Sequence, residues 1–330
     1  MHYMKWIAGA IAGASMMVAA TAASALTVGF AQTGHESDWR TAFSASMQSA
    51  AKAAGIDMKF SDADQKPENQ VKAVHAFIAQ RVDAIIIAPI VETGWDEVLK
   101  EAKDAKIPVF IVDRDVKVAD RSPIVARIAA DFHLEGKLAG AWLAQASQLG
   151  PWQAKHGSEC NIVELQGTVG SSPAILRKKG FEDVMALFPY MHIVKSQSGD
   201  FTTTGGKEVM ESFIKATDGL KGICAVWSHN DNMQLGAIQA MKEAGLHPGT
   251  DFLMVSVDGV PDEFKAMVAG EANASVELRS GIGPEIFAVI KGYLGGKHDY
   301  PKWVKIASTL HTQADAQHMI DWWAAQKKGG

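Results

Sequence analysis

The stretch that decides the fold is IPVFIVDR at residues 107–114, an apolar run that ends on an acid and an arginine. Continuous apolar strands are typical of parallel sheets that are buried on both faces. In open α/β sheets, ligands bind just beyond the carboxyl ends of such strands. Asp113 and Arg114 therefore stand where a small polar molecule would be held. The alternative is that the two side chains form a structural ion pair at the surface.

The second half of the chain repeats this pattern, because DFLMVSVDG at 251–259 also ends a hydrophobic strand on an acid, Asp258. Alternating strands and helices predict an α/β fold of two doubly wound parallel-sheet lobes. The predicted strands are 26–32, 57–62, 82–89, 107–114, 160–167, 192–197, 222–228 and 252–258. The predicted helices are 41–54, 67–80, 94–105, 172–187, 205–216 and 233–244.

The amino terminus has the pattern of a signal peptide over residues 1–25. Lys5 precedes an apolar run at 6–18, and Ala23-Ser24-Ala25 supplies a small-x-small cleavage site. A transmembrane anchor is the alternative, but the run is shorter than the roughly 17–25 residues that span a bilayer. We therefore expect export. The net charge of −5, with no basic block, argues against nucleic acid as a partner.

Cys160 and Cys224 are the only cysteines in the chain. Export would place them in an oxidising compartment, where disulfides persist. Each stands near the beginning of a predicted strand, and these strands are neighbours in the common order 2-1-3-4-5. We predict a disulfide between them, with two buried free thiols as the alternative.

Several segments resemble the periplasmic ribose- and galactose-binding proteins of ABC sugar importers. They are VDR (112–114), VELQGTVGSSPAILRKKGF (163–181), SGDF (198–201), SHND (228–231) and VDGVPD (257–262). The resemblance implies a type I periplasmic binding protein, with a hinge between an N-terminal lobe (26–130 plus 279–306) and a C-terminal lobe (131–278 plus 307–330). It also implies a periplasmic monomer that binds a monosaccharide, needs no cofactor, and is recognised by a membrane permease.

Four further segments are most similar to the galactofuranose-binding members of this family: GFAQTGHESDWR (29–40), ENQVKAVHAFIAQ (68–80), APIVETGW (88–95) and GEANASVEL (270–278). The implied ligand is galactofuranose, with ribose, arabinose or galactopyranose as alternatives. A secreted carbohydrate-active enzyme is the alternative from another class. The chain carries no P-loop, G-x-S-x-G elbow or H-E-x-x-H motif, so an enzyme has little support.

The candidate ligand-binding residues have the chemistry that a neutral sugar requires. Carboxylates and guanidinium groups pair with hydroxyls, and aromatic rings cover the C–H faces. By the resemblance they are Trp39, Arg40, Asp113, Arg114, Arg177, Phe201, Asn230 and Asp258. Arg177 could instead lie on a solvated basic helix face, and Trp39 could serve ordinary packing.

Glu36 and Asp200 are candidate rim residues, as are His35 and His229, and no metal-ligand spacing is present. The acids of the site balance its three arginines, which favours a neutral ligand over an anionic one.

The chain also departs from the pattern of its ribose-type relatives. Trp39 and Arg40 stand where those carry two phenylalanines. Glu277 or Leu278 replaces a glutamine, and Phe132 replaces an asparagine. These departures argue against ribose and leave the roles of the last three positions unassigned.

Overall fold

The structure is a computed structural model that describes residues 25–329. The predicted signal peptide, apart from Ala25, lies outside these residues. The first elements alternate as expected: β1 (Thr27–Gln32), α1 (Asp38–Ala53), β2 (Asp57–Asp62), α2 (Pro67–Ala79), β3 (Ala84–Ile87), α3 (Asp96–Asp104), β4 (Val109–Val112) and β5 (Ile124–Ala130).

The alternation continues through α4 (Phe132–Ser147), α5 (Gly150–His156), β6 (Cys160–Gln166), α6 (Ser172–Met185), β7 (Met191–Ser198), α7 (Thr203–Ala216), β8 (Ile223–Ser228), α8 (Asp231–Glu243), β9 (Leu253–Asp258), α9 (Pro261–Val268) and β10 (Ala274–Leu278). The chain then forms α10 (Gly283–Leu294), β11 (Trp303–Ile306), β12 (Ser308–Thr312) and α11 (Gln313–Gly329).

Two six-stranded sheets organise the molecule. Their strand orders are β2-β1-β3-β4-β5-β11 and β7-β6-β8-β9-β10-β12. The pairings are parallel except for β12, which runs antiparallel to β10. Each sheet with the helices packed on it is called a lobe below, the first containing β1 and the second β6. The predicted fold of two doubly wound lobes is confirmed.

Three connections join the lobes. The chain passes from β5 to α4, returns from β10 to α10, and crosses again between β11 and β12. Helix α10 packs on α1 of the first lobe, where the Gly283 N–H donates to Ser46 Oγ at 3.0 Å.

Apolar side chains fill both faces of each sheet. In the first lobe, Phe30, Phe43 and Phe110 lie in one cluster, and Ile85 and Trp95 lie in the cluster on the opposite face. The second lobe is built in the same way. This burial on both faces is why the strand sequences read as continuous apolar runs.

The predicted disulfide between Cys160 and Cys224 is confirmed, with 5.1 Å between the two Cα atoms. It joins β6 to β8, which are neighbours in the second sheet, with Asn161 paired opposite Ile223. None of the helices between residues 25 and 329 has the length and apolar character needed to cross a bilayer.

Candidate functional site

A cavity of about 280 Å³, including its opening to solvent, lies between the two lobes. Its lining contains all eight residues predicted to bind the ligand. The full lining is Glu36, Ser37, Trp39, Arg40, Asp113, Arg114, Pro173, Arg177, Phe201, Asn230, Asp258 and Leu278.

The ends of the strands position the polar residues of the cavity. Asp113 follows β4, Asp258 ends β9 and Asn230 follows β8. Trp39 and Arg40 lie in the first turn of α1, whose N-cap Ser37 accepts a hydrogen bond from the Arg40 N–H. The sequence predicts that this helix begins at residue 41, but the Ser37 cap starts it at Asp38. Trp39 and Arg40 therefore lie within the helix, which fixes the directions of their side chains into the cavity.

Three cavity residues have backbone conformations that non-glycine residues seldom adopt. The φ angles are 58° at Asp113, 64° at Phe201 and 128° at Asp258. Such conformations concentrate at ligand sites, where the surrounding structure holds them.

The first-lobe wall of the cavity is a buried network of two arginines and two acids. Arg40 donates to Asp113 Oδ2 at 2.7 Å and to Glu36 Oε1 at 3.1 Å. Arg114 donates to the same Glu36 oxygen at 3.2 Å. Burial favours a protonated Glu36, but Arg40 and Arg114 outweigh burial and lower its pKa below the ordinary value.

Arg114 is buried beside another cation. Burial, followed by the charge of Arg40, lowers its pKa to about 10. The guanidinium therefore stays charged at neutral pH. It donates to the Ile90 carbonyl at 3.0 Å and lies 5.3 Å from the centre of the Phe201 ring, on the opposite lobe.

Arg177 forms the second-lobe wall and is almost fully buried, so it does not lie on a solvated face. Its Nε donates to Glu135 at 2.9 Å, its Nη1 to the His229 carbonyl, and its Nη2 to Asp258 at 3.4 Å. Its guanidinium lies 5.4 Å from the centre of the Phe132 ring. Phe132 thus packs on arginine at a position that had no assigned role.

Sequence reasoning missed Glu135, the buried acid that faces Arg177. Glu135 lies on α4, and α4 approaches α6 closely because Gly136 has no side chain. A Cβ at Gly136 would lie 2.0 Å from the Arg177 carbonyl oxygen. No local motif in the sequence predicts this contact between Glu135 and Arg177.

The pKa of Asp258 is raised well above its ordinary value, mainly by burial. Arg177 opposes this shift, whereas Asp231, Glu135 and Asp113 add to it. Asp231 is itself fully buried. It accepts hydrogen bonds from Ser256, Ser275 and the Val260 N–H, and it thereby holds the turn that follows Asp258.

The two aromatic residues of the cavity are held firmly. Trp39 stacks on Phe43 at 5.2 Å and donates its indole N–H to the Leu278 carbonyl, so it both packs within the lobe and lines the cavity. Phe201 lies against Gly167, where a Cβ would come within 1.9 Å of the ring. Asn230 donates to the Phe201 carbonyl at 3.0 Å.

Two of the rim assignments need correction. Glu36 lies inside the cavity, because both arginines draw its carboxylate inward. His229 is fully buried and hydrogen-bonds to Glu164, since it follows β8 directly.

Of the remaining candidate positions, Asp200, His35 and Glu277 do not line the cavity. Asp200 is exposed, bonds Ser198 and does not line the cavity, and His35 is an exposed residue that bonds Asp62. Glu277 bonds His311, whereas its neighbour Leu278 lines the cavity. Within residues 25–329, no cluster of three or more His, Cys, Asp or Glu side chains could hold a metal ion.

Hydrogen bonds across the mouth of the cavity join the two lobes. Asp38 and Asn232 bond reciprocally, at 3.1 Å through the Asp38 N–H and at 3.0 Å through its carboxylate. The Asp115 N–H donates to Ser172 Oγ at 2.8 Å, and the Glu92 N–H donates to the Gly170 carbonyl at 3.0 Å. The lobes are therefore closed on each other in this structure.

The fold agrees with the comparisons to known proteins. A family model for the periplasmic binding protein domain matches residues 28–297. The chain belongs to this family. It is 53% identical to the galactofuranose-binding protein YtfQ of Escherichia coli K12, over 91% of this chain and 92% of the relative.

Two solved structures are also similar. The binding protein of the arabinose ABC transporter of Shewanella sp. ANA-3, solved with α- and β-L-arabinofuranose, is 54% identical with a TM-score of 0.86, over 92% of this chain and 97% of that one. A Mycobacterium smegmatis protein in complex with β-D-fucofuranose is 42% identical with a TM-score of 0.86, over 92% and 96%.

Proposed function

We propose that this chain is the substrate-binding protein of an ABC sugar importer and binds a neutral monosaccharide, galactofuranose, between its lobes. The observation that carries the proposal is the interlobe cavity, in which buried arginines and acids alternate with two aromatic rings. The proposed ligand contacts are Trp39, Arg40, Asp113, Arg114, Arg177, Phe201, Asn230 and Asp258.

The charges of the cavity favour a neutral ligand. Its three guanidinium groups all bond to carboxylates: Arg40 and Arg114 to Glu36, Arg40 also to Asp113, and Arg177 to Glu135. Because each cation already has a buried anionic partner, little positive charge remains for a sugar acid or a phosphate. Hydroxyls, which donate and accept, suit such a mixed surface.

The furanose ring is supported by the relatives. The sugars in their names are galactofuranose, arabinofuranose and fucofuranose. The D-galacto, L-arabino and D-fuco furanoses share their configuration at C2, C3 and C4 and differ only in the group on C4. A site that recognises the ring would accept all three. L-Arabinofuranose is therefore the second candidate, favoured by the 54% identity to the arabinose protein.

Binding would be coupled to closure. We propose that the lobes comprise 26–130 with 279–306 and 131–278 with 307–330, and that they open about the three connections. Ligand favours the closed form because only there do Arg114 and Arg177 approach the same molecule. The closed pair of lobes is what a membrane permease would recognise. We further propose cleavage of the signal peptide after Ala25, export to the periplasm, and action as a monomeric binder with no catalytic role.

Two measurements test this function. Calorimetry with galactose, L-arabinose, ribose and galacturonate should give tight binding of the first two only. For a hexose of roughly 12 heavy atoms, micromolar affinity, about −8 kcal/mol, is attainable. NMR of galactose labelled with ¹³C at C1 should then show that the bound sugar is a furanose. The protein should bind one sugar per chain, and the sugar should be recovered chemically unchanged. Tight binding of galacturonate alone would refute the proposal that the ligand is neutral. A bound pyranose would refute the furanose assignment, and chemical conversion of the sugar would indicate an enzyme.

A further inference from the structure

Glu36 leaves one of its two oxygens unused. Its side chain is 1% exposed, and Oε1 alone accepts from both Arg40 and Arg114. Oε2 is buried and has no hydrogen-bond partner among residues 25–329. An unpaired buried carboxylate oxygen is costly, and such groups in native proteins call for an explanation.

Arg114 presents the complementary group. Its Nη1 and Nη2 are used by the Ile90 carbonyl and by Glu36. Its Nε is buried and has no hydrogen-bond partner in the same described part of the chain, and Asp113 Oδ2 lies 3.9 Å from it. Both Glu36 and Arg114 line the cavity.

We propose that Glu36 Oε2 and Arg114 Nε together bind one hydroxyl of the sugar, and that Glu36 thereby determines which hydroxyl the site requires. The two atoms belong to groups that are already bonded to each other, since Arg114 Nη2 donates to Glu36 Oε1 at 3.2 Å. A hydroxyl is the group that both donates to a carboxylate and accepts from a guanidinium. The carboxylate group of an ionised sugar acid has no proton to donate to Oε2, and an ammonium group has no lone pair to accept the Nε proton.

This inference rests on the proposed function and predicts a pattern that a structural role for Glu36 would not produce. Galactofuranose has hydroxyls at positions 1, 2, 3, 5 and 6. Glu36→Gln keeps the shape of the side chain, but it removes the negative charge and replaces one carboxylate oxygen by an NH₂ group. If Glu36 only held the two arginines, the variant would weaken every sugar by the same factor. If it also binds one hydroxyl, the penalty is smaller for the derivative that lacks that hydroxyl than for every other compound.

The experiment is calorimetry of wild-type protein and Glu36→Gln with galactose, its 2-, 3-, 5- and 6-deoxy derivatives, and 1,4-anhydrogalactitol. The ratio of the two dissociation constants is taken for each compound, so the furanose fraction of each sugar cancels. We expect a ratio of about 10–100 for every compound except one, for which the ratio is about tenfold lower than for the others. Glu97→Gln, an exposed change outside the cavity, serves as the matched control with ratios near 1 throughout.

Equal ratios for all the compounds would overturn the proposal and leave the sugar-binding function intact. No binding of galactose or its derivatives to the wild-type protein would overturn the galactofuranose assignment, and the Glu36 proposal with it. If thermal unfolding shows that Glu36→Gln does not fold, Glu36→Asp is used instead. This variant keeps the negative charge but moves the carboxylate away from the sugar. It should give the same pattern, with a lower ratio for one compound than for the others.

Discussion

Replacing Asn232 by alanine removes the reciprocal bond that joins α8 of the second lobe to α1 of the first. Asn232 accepts from the Asp38 N–H at 3.1 Å and donates to the Asp38 carboxylate at 3.0 Å. It also donates to Thr203 of its own lobe at 3.2 Å, so its side chain stays oriented when the lobes part. The pair with Asp38 forms only on closure, and its loss should penalise the closed form alone.

The magnitude follows from two hydrogen bonds, one of them to a charged group. A neutral bond contributes roughly 0.5–1.5 kcal/mol and a charged one roughly 1.5–3 kcal/mol. Asp38 is exposed, and solvent screening reduces both values, so we expect a total of about 1.4 kcal/mol. Because ligand binds to the closed form, this weakens the apparent affinity for sugar about tenfold.

The assay is calorimetry together with small-angle scattering with and without sugar. Asn232→Ala should bind about tenfold more weakly, and it should reach the wild-type radius of gyration only at saturating sugar. Exchange of the two residues, Asp38→Asn with Asn232→Asp, should restore most of the affinity. Asn161→Ala removes a bond within the second lobe and is the control, with unchanged binding. Wild-type affinity in Asn232→Ala would refute the reasoning, as would an exchange variant no tighter than the single one.

Three further predictions concern stability and binding. Replacing Cys160 and Cys224 by alanine should lower the free energy of unfolding in urea by about 4 kcal/mol, given their separation of 64 residues; a loss below about 1 kcal/mol would contradict the chain-entropy argument. Burial raises the pKa of Asp231 from 3.8 to about 6, so its contribution to stability is fully present below pH 3.8 and is lost as pH rises through 6. The destabilisation by Asp231→Asn should therefore shrink by about 2 kcal/mol between pH 4 and pH 7, and a constant difference would contradict this. Asp113→Asn should weaken sugar binding about 10- to 100-fold in calorimetry because Arg40 loses one of its two anionic partners and keeps only Glu36, and unchanged affinity would remove Asp113 from the site.

Much of this architecture could be predicted because its causes are local. Apolar strands followed by polar residues located Asp113 and Asp258, since the carboxyl ends of parallel strands meet at one edge of a sheet. The same strand order brought the two cysteines together. These inferences needed only the alternation of strands and helices and a known topology.

The remaining features depend on tertiary contacts that no local pattern encodes. Glu135 reaches Arg177 because two helices touch at Gly136. Glu36 turns inward because Arg114, 78 residues away, attracts it together with the nearby Arg40. The antiparallel strand β12 follows from the last crossing between the lobes. In each case the deciding partner lies far away in the sequence.

The cavity also shows how a binding site is held in shape by groups that need not touch the ligand. Each of its three residues with positive φ has a buried side chain bonded to the backbone within two residues of it. Arg127 donates to the Asp113 carbonyl at 3.3 Å, and Asn230 donates to the Phe201 carbonyl at 3.0 Å.

Asp231 completes the set, because it accepts from the Val260 N–H at 2.7 Å and so fixes the turn after Asp258. These bonds lie within the individual lobes, so they persist when the lobes separate. The unfavourable backbone conformations are therefore maintained by folding and not by the sugar. The free energy of sugar binding then remains available for closing the lobes.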